Sequence, residues 1–391
     1  MTVQFTTLGA LVGLAIAIAL IVKRFSPAYS LILGALIGGI IGGGSLTGTV
    51  NTMVSGAGSM MSSILRILTS GALAGALIKT GSAEKIAQTI VDKLGQKRAV
   101  IAISIATMII CAVGVFIDIS VITVAPIALA IGEKAGLSKS GVLLAMIGGG
   151  KAGNIISPNP NTIAVSETFE QDLTAVMMRN FIPAICALAV TVVIAGQLVK
   201  KADDPITSGD LEAHTDGDLP SFLPAFAGPL LVILLLALRP IAGITIDPLI
   251  ALPLGGVFCI LVTGNVKNIA PYIEFGLSKV IGVAILLIGT GMIAGIIKAS
   301  ALQNDVTMLL EATHLPAFLL APIAGILMAG ATASTTAGAT VAAQTFSSTL
   351  MAAGVPGLAA AAMIHAGATV IDSLPHGSFF HATGGAVYMD I

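Results

Sequence analysis

The polar residues of Gly148–Thr162 interrupt a long apolar region of the chain. The stretch reads Gly-Gly-Gly-Lys-Ala-Gly-Asn-Ile-Ile-Ser-Pro-Asn-Pro-Asn-Thr, so it combines an ammonium group with amide and hydroxyl side chains. Pro158 and Pro160 lack the backbone N–H that continues a helix, and the stretch therefore predicts a broken helix. Irregular backbone at membrane depth is stable only when it packs in protein or lines a wet cavity. Many secondary transporters bind their substrates at such a break, so the sequence predicts a substrate site here.

Substrate ligands are expected at this break and at two polar stretches in the second half of the chain. The Lys151 ammonium would hold a carboxylate or, alternatively, would form a structural pair with an acid such as Asp118 or Asp372. The amide and hydroxyl groups would bind substrate hydroxyls and a carboxylate, helped by helix N-termini, or would only cap those helix ends. The complete set of expected ligands is Lys151, Asn154, Ser157, Asn159, Asn161, Thr162, Ser334, Thr335, Thr336 and His376.

Two acidic residues are the expected proton carriers. Burial disfavours the charged form of a carboxyl group, which suits Asp118 and Asp372 to taking up and releasing a proton. His365 precedes Asp372 by two helical turns, a spacing that would place both side chains on one face. A proton relay through this pair is one hypothesis, and a histidine that is simply buried in the core is the alternative.

The composition predicts a membrane protein that crosses the bilayer several times. Of the 391 residues, 56% are hydrophobic and only 9% are charged, whereas a soluble domain carries about 25% charged residues. The net charge of −1 and the lack of a basic aromatic patch in the sequence argue against nucleic-acid binding. The sequence has no Cys/His zinc pattern, Walker loop or Gly-x-Ser-x-Gly motif, so neither an enzyme, nor a metal site, nor a cofactor is expected.

The first half of the chain contains apolar runs of spanning length and two shorter patterns. Ser82–Gln96 has apolar residues at every fourth position opposite charged residues, which predicts an amphipathic helix in the interface. Ala99–Ala135 consists of two arms, each too short to cross, around the polar stretch Gly114–Ser120, which predicts a re-entrant hairpin. The runs expected to cross the bilayer are Leu8–Val22, Ala28–Gly44, Met61–Lys79 and Leu173–Val199.

The second half of the chain repeats the first. Ala76-Leu-Ile-Lys79 matches Gly295-Ile-Ile-Lys298, and Met146-Ile147 matches Met363-Ile364 at nearly the same offset. A constant offset over such a distance is the signature of a duplicated unit. At this offset, the polar stretch Gly114–Ser120 corresponds to Ala331–Gly338, and the proline break corresponds to the stretch that begins at Leu374.

The two repeats are expected to have opposite orientations in the membrane. Each repeat would cross an odd number of times, and the charges agree with an inversion. The first amphipathic segment carries Lys85, Lys93, Lys97 and Arg98. Its counterpart Ala301–Leu315 carries acids and no Lys or Arg. Because positive residues favour the cytoplasmic side, the two segments should lie on opposite faces.

These observations divide the chain into three parts. Residues 1–200 are the first repeat, residues 201–222 an acidic linker in water, and residues 223–391 the second repeat. The second repeat stops just past its broken helix, so either a final crossing lies beyond Ile391 or this repeat is degenerate. The predicted fold is an all-α polytopic membrane protein with two inverted repeats, re-entrant hairpins and broken transmembrane helices.

Taken together, the motifs resemble the gluconate permease family of proton symporters, within the larger ion-transporter superfamily. The resemblance spans essentially the whole chain and rests on Gly148–Ala164, Gly114–Asp118 and Ile371–His376. It implies a homodimer in which each protomer has a scaffold and a mobile transport domain with paired hairpins. Gluconate-type members tend to have a Pro-Pro-His-Pro-Gly-Pro pattern where this chain has Ser157-Pro-Asn-Pro-Asn-Thr.

The predicted function is proton-coupled symport of a small hydroxy-carboxylate or sugar acid, such as gluconate, across the inner membrane. The expected partners are a small organic anion, a proton or Na⁺, the lipid bilayer and a second copy of the chain. Two alternatives stay open. One is a sodium-coupled carboxylate symporter, and the other is a cation/proton antiporter of the same architecture in which the oxygen-rich breaks hold sodium alone.

Overall fold

The structure is a computed structural model that describes residues 5–199, 204–210, 219–302, 304–305, 308, 312, 316–375 and 378–389. Within these residues the fold consists of helices and connecting turns, without a β-strand, and the predicted all-α class is confirmed for them. In chain order the α-helices are α1 (Thr7–Val22), α2 (Pro27–Ile41), α3 (Leu46–Gly58), α4 (Met61–Lys79), α5 (Ser82–Leu94), α6 (Ala99–Ala112), α7 (Ile117–Ala135), α8 (Lys139–Asn154), α9 (Pro160–Thr168), α10 (Leu173–Arg179), α11 (Phe181–Leu198), α12 (Phe222–Ala242), α13 (Pro248–Val262), α14 (Ile269–Lys298), α15 (Leu320–Thr332), α16 (Thr335–Ala352), α17 (Gly357–Ala368) and α18 (Ser378–Gly385).

Several of these helices are long and apolar enough to cross a bilayer. Met61–Lys79, Phe181–Leu198 and Val266–Lys298 each have the required length and composition. α5 and the helix that follows it form a pair bent by 101°, which would add one more span if the pair acts as a unit. α4 begins and ends where the sequence predicts a span. The helices therefore support a multi-pass membrane protein.

Other expected spans are shorter or divided. α1 and α2 have 16 and 15 residues, about 24 and 23 Å at 1.5 Å per residue, which is less than the hydrocarbon thickness. α1 ends because Arg24 adopts a left-handed backbone with φ 67°, after which Pro27 starts α2. The run at Leu173–Val199 is divided into α10 and α11 by a turn at Asn180.

The expected amphipathic helix is present as α5. Ile86 and Val91 are among its buried residues, whereas Asp92 and Lys93 are exposed, so one face packs and the other carries charge. Its location in the membrane interface stays a prediction. Most of the expected counterpart, Ala301–Leu315, lies outside the described residues.

The described chain divides into two compact units that do not follow the order of the sequence. Unit 1 comprises Met1–Ile67, Pro160–Arg179 and Ile281–Ser378. Unit 2 comprises Leu68–Asn159, Asn180–Val280 and Phe379–Ile391. The boundaries fall within α4 and α14, at the break between α8 and α9, between α10 and α11, and at the start of α18. Each unit therefore contains residues of both halves of the chain. The division into repeats at residues 1–200 and 223–391 stays a prediction.

In unit 2, glycines allow α8 to pack closely against two neighbouring helices. A β-carbon at Gly149 would lie 2.1 Å from the carbonyl oxygen of Ser104 in α6, and one at Gly153 would lie 2.2 Å from that of Met108. A β-carbon at Gly148 would lie 2.2 Å from the Thr191 hydroxyl of α11. Small residues of this kind are typical of close helix packing in membranes, and they hold α8 against α6 and α11.

In unit 1, α15, α16 and α17 form a group packed in the same manner. A β-carbon at Gly325 of α15 would lie 2.4 Å from the Ile364 carbonyl oxygen of α17. A β-carbon at Gly338 of α16 would lie 2.4 Å from the Ala329 Cα of α15. The buried core of this group is mainly alanine, with Phe169 as its one large aromatic member among the described residues. The same small side chains therefore bring three backbones close together.

A pair of glycine crossings agrees with the predicted duplication. In unit 2 a β-carbon at Gly276 of α14 would lie 1.9 Å from the carbonyl oxygen of Gly71 in α4, and Gly75 meets the same part of α14. In unit 1 a β-carbon at Gly56 of α3 would lie 2.2 Å from the carbonyl oxygen of Gly291, and Gly295 packs against Gly56. Each glycine stands 220 positions from its counterpart, in the pairs Gly71 and Gly291, Gly75 and Gly295, and Gly56 and Gly276. This recurrence supports a repeat, whereas its inversion stays a prediction.

Part of the acidic linker packs onto the start of α8, which corrects the expectation of a free connector. Lys139 donates its backbone N–H to the Asp204 carbonyl oxygen at 2.9 Å, and Ser140 donates its backbone N–H to Asp204 Oδ2 at 2.8 Å. A carboxylate satisfies the exposed N–H groups and the dipole of a helix N-terminus. Lys139 also forms an ion pair with Asp210. Hydrogen bonds from Lys139 and Thr207 lower the pKa of Asp210 to about 2.

Candidate substrate and coupling site

In unit 1, α9 and α16 lie side by side with their N-termini level. Thr336 Oγ1 donates to Asn161 Oδ1 at 2.6 Å, and these are the second residues of α16 and α9. About two turns further along both helices, Gln344 Nε2 donates to Thr168 Oγ1. The residue numbers increase together in both pairs, so the helices are parallel. Their N-terminal N–H groups, which have no intrahelical acceptor, therefore open toward the same place.

The residue types at these two helix starts explain where the helices begin. Pro160 starts α9, and proline suits this position because its φ angle is helical and its missing N–H would have had no helical partner. Ser334 Oγ accepts a hydrogen bond from the Ala337 N–H at 3.3 Å, which is the capping role that the sequence offered as one alternative. Asn161 and Thr162 are buried in the first turn of α9.

A left-handed residue makes the turn between α15 and α16 very short. Ala333 has φ 43° and ψ 43°, a conformation that is uncommon for a residue with a β-carbon. It ends α15, and the extended Ser334 then starts α16 directly. Strained backbone of this kind concentrates at functional sites. Thr335 and Thr336 are thereby held at the tip of the hairpin.

Asp372 lies beside the first turn of α16. Its side chain is only 2% exposed. Thr335 Oγ1 donates to Asp372 Oδ2, and Ser373 Oγ donates to Asp372 Oδ1 at 3.0 Å. The N-terminal end of a helix favours negative charge, and hydroxyl groups can also accept a hydrogen bond from a protonated acid. The Asp372 carboxyl group is therefore held between two hydroxyl groups at the start of α16.

The two histidines of the second half lie in different situations. His365 is fully buried in α17, and neither ring nitrogen has a hydrogen-bond partner among the described residues. α17 ends at Ala368, so Asp372 lies beyond the helix. The predicted two-turn spacing of His365 and Asp372 on one helix face is therefore wrong, whereas their roles stay proposals. His376 lies outside the described residues.

In unit 2, Lys151 projects from the last turn of α8 on the side opposite α6. It stands two residues from both Gly149 and Gly153, the glycines that contact α6, and two residues turn a helix by about 200°. The side chain is half-buried. Asn154 follows three residues later on a neighbouring part of the same surface. The glycine packing thus directs the ammonium away from α6.

Asn159 closes the C-terminal end of α8. Its Nδ2 donates to the backbone oxygen of Asn154 at 2.8 Å and also contacts Asn154 Oδ1. This contact is at the C-terminal end of α8 and differs from the expected cap of a helix N-terminus, and a substrate role of Asn159 stays a proposal. Ser157 is buried in the same turn. The predicted helix break at Pro158 and Pro160 is confirmed, because α8 ends at Asn154 and α9 starts at Pro160.

Asp118 lies in the first turn of α7, where the helix dipole favours a negative charge. It is half-buried, and the Lys279 ammonium of α14 attracts its carboxylate. The polar stretch Gly114–Ser120 interrupts the helices as expected, because α6 ends at Ala112 and α7 starts at Ile117. Whether this pair of helices is re-entrant stays a prediction.

Sequence reasoning missed two polar contacts of α9. Gln344 binds Thr168, and Arg66 Nη1 forms an ion pair with Glu167 Oε2 at 2.8 Å. The signal for the first contact is the recurrence of Thr336, Thr340 and Gln344 at every fourth residue, which places polar groups along one face of α16. Among the described residues, no group of three or more His, Cys, Asp or Glu side chains could hold a metal ion.

The apolar helices, the two breaks and the buried polar groups at helix ends define the class of a polytopic transporter. Comparison with known proteins names the family. The family model described as GntP family permease matches residues 5–383, so this chain belongs to that family. The resemblance to gluconate permeases is thereby confirmed, and the protein is a multi-pass membrane transporter.

Individual relatives agree with this assignment. The chain is 54% identical to an uncharacterized transporter of Haemophilus influenzae over 386 residues, which cover 99% of this chain and 92% of the relative. It is 22% identical to the Gnt-II system L-idonate transporter of Escherichia coli over 294 residues, which cover 69% of this chain and 67% of the relative. The crystal structure of the YdaH transporter of Alcanivorax borkumensis has a similar fold, with a TM-score of 0.61 at 16% identity over 87% of this chain and 81% of that one.

Proposed function

We propose that this transporter carries a small hydroxy-carboxylate or sugar acid, such as gluconate, together with protons across the inner membrane. The observation that supports this most is the pairing of α9 and α16 through Asn161 and Thr336, with Asp372 beside the start of α16. Two helix N-termini and a buried carboxyl group are the parts that an anion symporter needs.

The substrate carboxylate suits the paired N-termini. Each helix start presents N–H groups without helical partners and about half a positive elementary charge, which together attract an anion. Substrate hydroxyls suit Asn161, Thr162 and Thr336, because amide and hydroxyl groups both donate and accept hydrogen bonds. L-Idonate, named as the substrate of one relative, combines a carboxylate with several hydroxyl groups.

The residues of unit 2 receive complementary roles in this proposal. Lys151 provides a positive charge for an anionic substrate within an apolar protein. Asn154, Ser157 and Asn159 provide polar groups at the end of α8, where an isolated backbone break in hydrocarbon would be unstable. Asp118 is a second carboxyl group able to carry a proton.

Proton coupling is assigned to Asp372. It is a buried acid of unit 1 whose described partners include the Thr335 and Ser373 hydroxyl groups, and a hydroxyl group can bind a carboxyl group with or without its proton. His365 is a further candidate because it is buried without a hydrogen-bond partner among the described residues.

The oxygen atoms around Asp372 favour sodium coupling as a second candidate. A carboxylate with the hydroxyl groups of Thr335 and Ser373 offers the hard oxygen ligands that sodium binds at broken helices. A cation/proton antiporter would use the same ligands without an organic anion.

Inverted repeats, re-entrant hairpins and a homodimer belong to the same proposal. The glycine crossings 220 positions apart and the similar groups α6–α8 and α15–α17 support the repeats, and the homodimer is proposed from the family resemblance alone. Cysteines at Gln96 and Asn304 should react with a membrane-impermeant reagent from opposite sides of the membrane. Labelling of both cysteines from one side would contradict the inversion.

Uptake by purified protein in proteoliposomes tests the function. Labelled gluconate and L-idonate would be offered under an imposed pH gradient or an imposed Na⁺ gradient. We expect accumulation under the pH gradient that a protonophore abolishes and that Na⁺ does not change. Accumulation under the Na⁺ gradient alone would replace the proton by sodium. Accumulation of neither anion, together with Na⁺ or H⁺ exchange, would support the antiporter.

A further inference from the structure

A row of polar side chains lines the contact between α9 and α16, which we name the α9–α16 seam. On α16 the row consists of Thr336, Thr340 and Gln344, which stand four residues apart and so share one face. The outer two bind Asn161 and Thr168 of α9. Thr340 lies between these two hydrogen bonds and therefore also faces α9.

Two buried oxygen atoms of the seam have no hydrogen-bond partner among the described residues. These atoms are Thr340 Oγ1 and Gln344 Oε1. Side chains four residues apart on a helix have β-carbons about 5–6 Å apart, a separation that one water molecule bridges with a hydrogen bond to each. Buried polar atoms in native proteins are satisfied by ordered water when no protein group is available. The pair is thus suited to holding a water molecule.

The two ends of the seam lie in different environments. At one end Glu167, the neighbour of Thr168, accepts hydrogen bonds from Arg66 Nη1 and Ser62 Oγ, each at 2.8 Å. The side chains of Arg66 and Glu167 are 22% and 26% exposed. At the other end, Thr336 follows Thr335, the residue that binds the buried Asp372. The seam therefore runs for about 12 Å between a partly exposed acid and a buried one.

We infer that the α9–α16 seam conducts protons between the Glu167 end and Asp372, through a water molecule held by Thr340 and Gln344. This inference rests on the proposed proton coupling through Asp372. The relaying groups are the water and the hydroxyls of Thr168, Thr340, Thr336 and Thr335. Each accepts one proton and releases another, so a proton that enters at the Glu167 end leaves one proton on the Asp372 carboxylate and these groups unchanged. The Thr168 hydroxyl donates to the Ala164 carbonyl oxygen and the Thr336 hydroxyl to the Asn161 amide oxygen, so both rotate toward the next group of the row to release a proton. The Gln344 amide orients the water and does not itself transfer a proton. His365 of α17 is a separate titratable group that this route does not use.

The test compares Thr340→Val with Thr349→Val in proteoliposomes. Valine keeps the shape of threonine and removes only the hydroxyl group. Thr349 is also buried, and it stands nine residues from Thr340, which places it on the opposite face of α16. We expect Thr340→Val to slow uptake driven by a pH gradient about tenfold, as for the loss of a positioned proton donor, and Thr349→Val to leave uptake unchanged.

Two further measurements separate proton conduction from a structural role. Exchange of labelled for unlabelled substrate needs no net proton movement, so Thr340→Val should exchange at the parental rate, and Thr340→Ser should restore driven uptake. The ratio of driven uptake in H₂O to that in D₂O should rise in Thr340→Val, because proton transfer then limits the rate.

The remaining outcomes show whether proton conduction by the seam, proton coupling through Asp372, or both are wrong. If Asp372→Asn abolishes driven uptake while Thr340→Val and Thr340→Ala behave like the parent, the seam is overturned and proton coupling survives. If driven uptake and exchange fall together in Thr340→Val and Thr340→Ala, the seam is structural and the inference is also overturned. If uptake by the parent protein does not respond to a pH gradient at all, both the proposed proton coupling and proton conduction by the seam are overturned.

Discussion

The helix groups α6–α8 in unit 2 and α15–α17 in unit 1 have similar backbones and different polar residues. Each group contains a sharp turn with a left-handed residue, Gly114 in the first and Ala333 in the second. In each group the first and third helices approach through glycine, at Gly149 in the first and Gly325 in the second. Each group also ends at a helix break. The backbone therefore presents equivalent helix ends in both units.

The charged residues occupy different positions in the two groups. The first group carries Asp118 in the first turn of α7 and Lys151 in the last turn of α8. The second group has Thr335 at the start of α16 and places its acid, Asp372, after the end of α17. Two helix groups of similar arrangement thus supply equivalent helix ends while their reactive groups differ. We therefore expect coupling to depend on Asp372 of the second group, and Lys151 of the first group to add to the attraction of the anion.

The largest effect is expected from the two acids. Asp372→Asn should lower accumulation driven by a pH gradient by about 100-fold or more, because amide groups do not release a proton at working pH. Substrate exchange should persist in part. Asp118→Asn should retain most of the driven uptake, which serves as the matched control. Equal losses in both variants would remove the functional distinction between the two groups.

Lys151 should have the next largest effect, and it should act on binding. Lys151→Ala should raise the Kd of gluconate about 10- to 100-fold, since hydrogen bonds to charged groups contribute about 1.5–3 kcal/mol. Lys134→Ala, which removes an exposed lysine from the end of α7, is the matched control. Titration of each purified variant with gluconate measures the two Kd values. If Lys151→Ala binds gluconate with the Kd of the parent, we would infer that the lysine belongs to a structural ion pair.

Recognition of substrate hydroxyls should produce a smaller and more selective effect. Thr336→Val should weaken binding of a hydroxy acid about five- to tenfold and binding of its deoxy analogue much less, because an unmatched polar group costs about 1–3 kcal/mol. Asn159→Ala should have less effect on this ratio, since its amide nitrogen binds Asn154. A larger change for Asn159→Ala would move hydroxyl recognition to the first group.

The smallest effect is expected where the linker binds α8. The start of α17 differs from the start of α8 because α17 follows Pro356 and no side chain of its N-cap accepts a hydrogen bond from its first turn. The pKa of Asp210 is lowered to about 2, so its contribution to stability is present above the unfolded pKa, near 4, and is lost as the pH falls through about 2. Asp210→Asn should lower Tm by about 2 °C at pH 7. The difference in Tm between the parent and Asp210→Asn, measured by thermal unfolding at pH 7, 5 and 3, should shrink only at pH 3. A difference in Tm that stays constant over this range would contradict the ion pair.

The positions of the helix interruptions follow from the amino-acid sequence alone. Pro158 and Pro160 exclude a continuous helix for a local reason, the missing N–H, and α8 and α9 end and start around them. The apolar length of Met61–Lys79 likewise defined α4 without reference to any partner. Membrane character follows from composition, because hydrocarbon excludes a chain with many charges.

Which polar residues share a site depends on the packing of distant helices and is not readable from the sequence. Asn161 and Thr336 are 175 residues apart, and the predicted duplication would relate each polar stretch to a counterpart in the other half rather than to its hydrogen-bond partner. His365 and Asp372 show the same limit, because α17 ends between them and removes the helical spacing that their numbers suggest. The linker at Asp204 and Asp210 also looked solvated until its contacts with α8 were known. The physical reason is that periodicity reports which face of a helix is buried, whereas the helix that covers this face is chosen by packing across the whole chain.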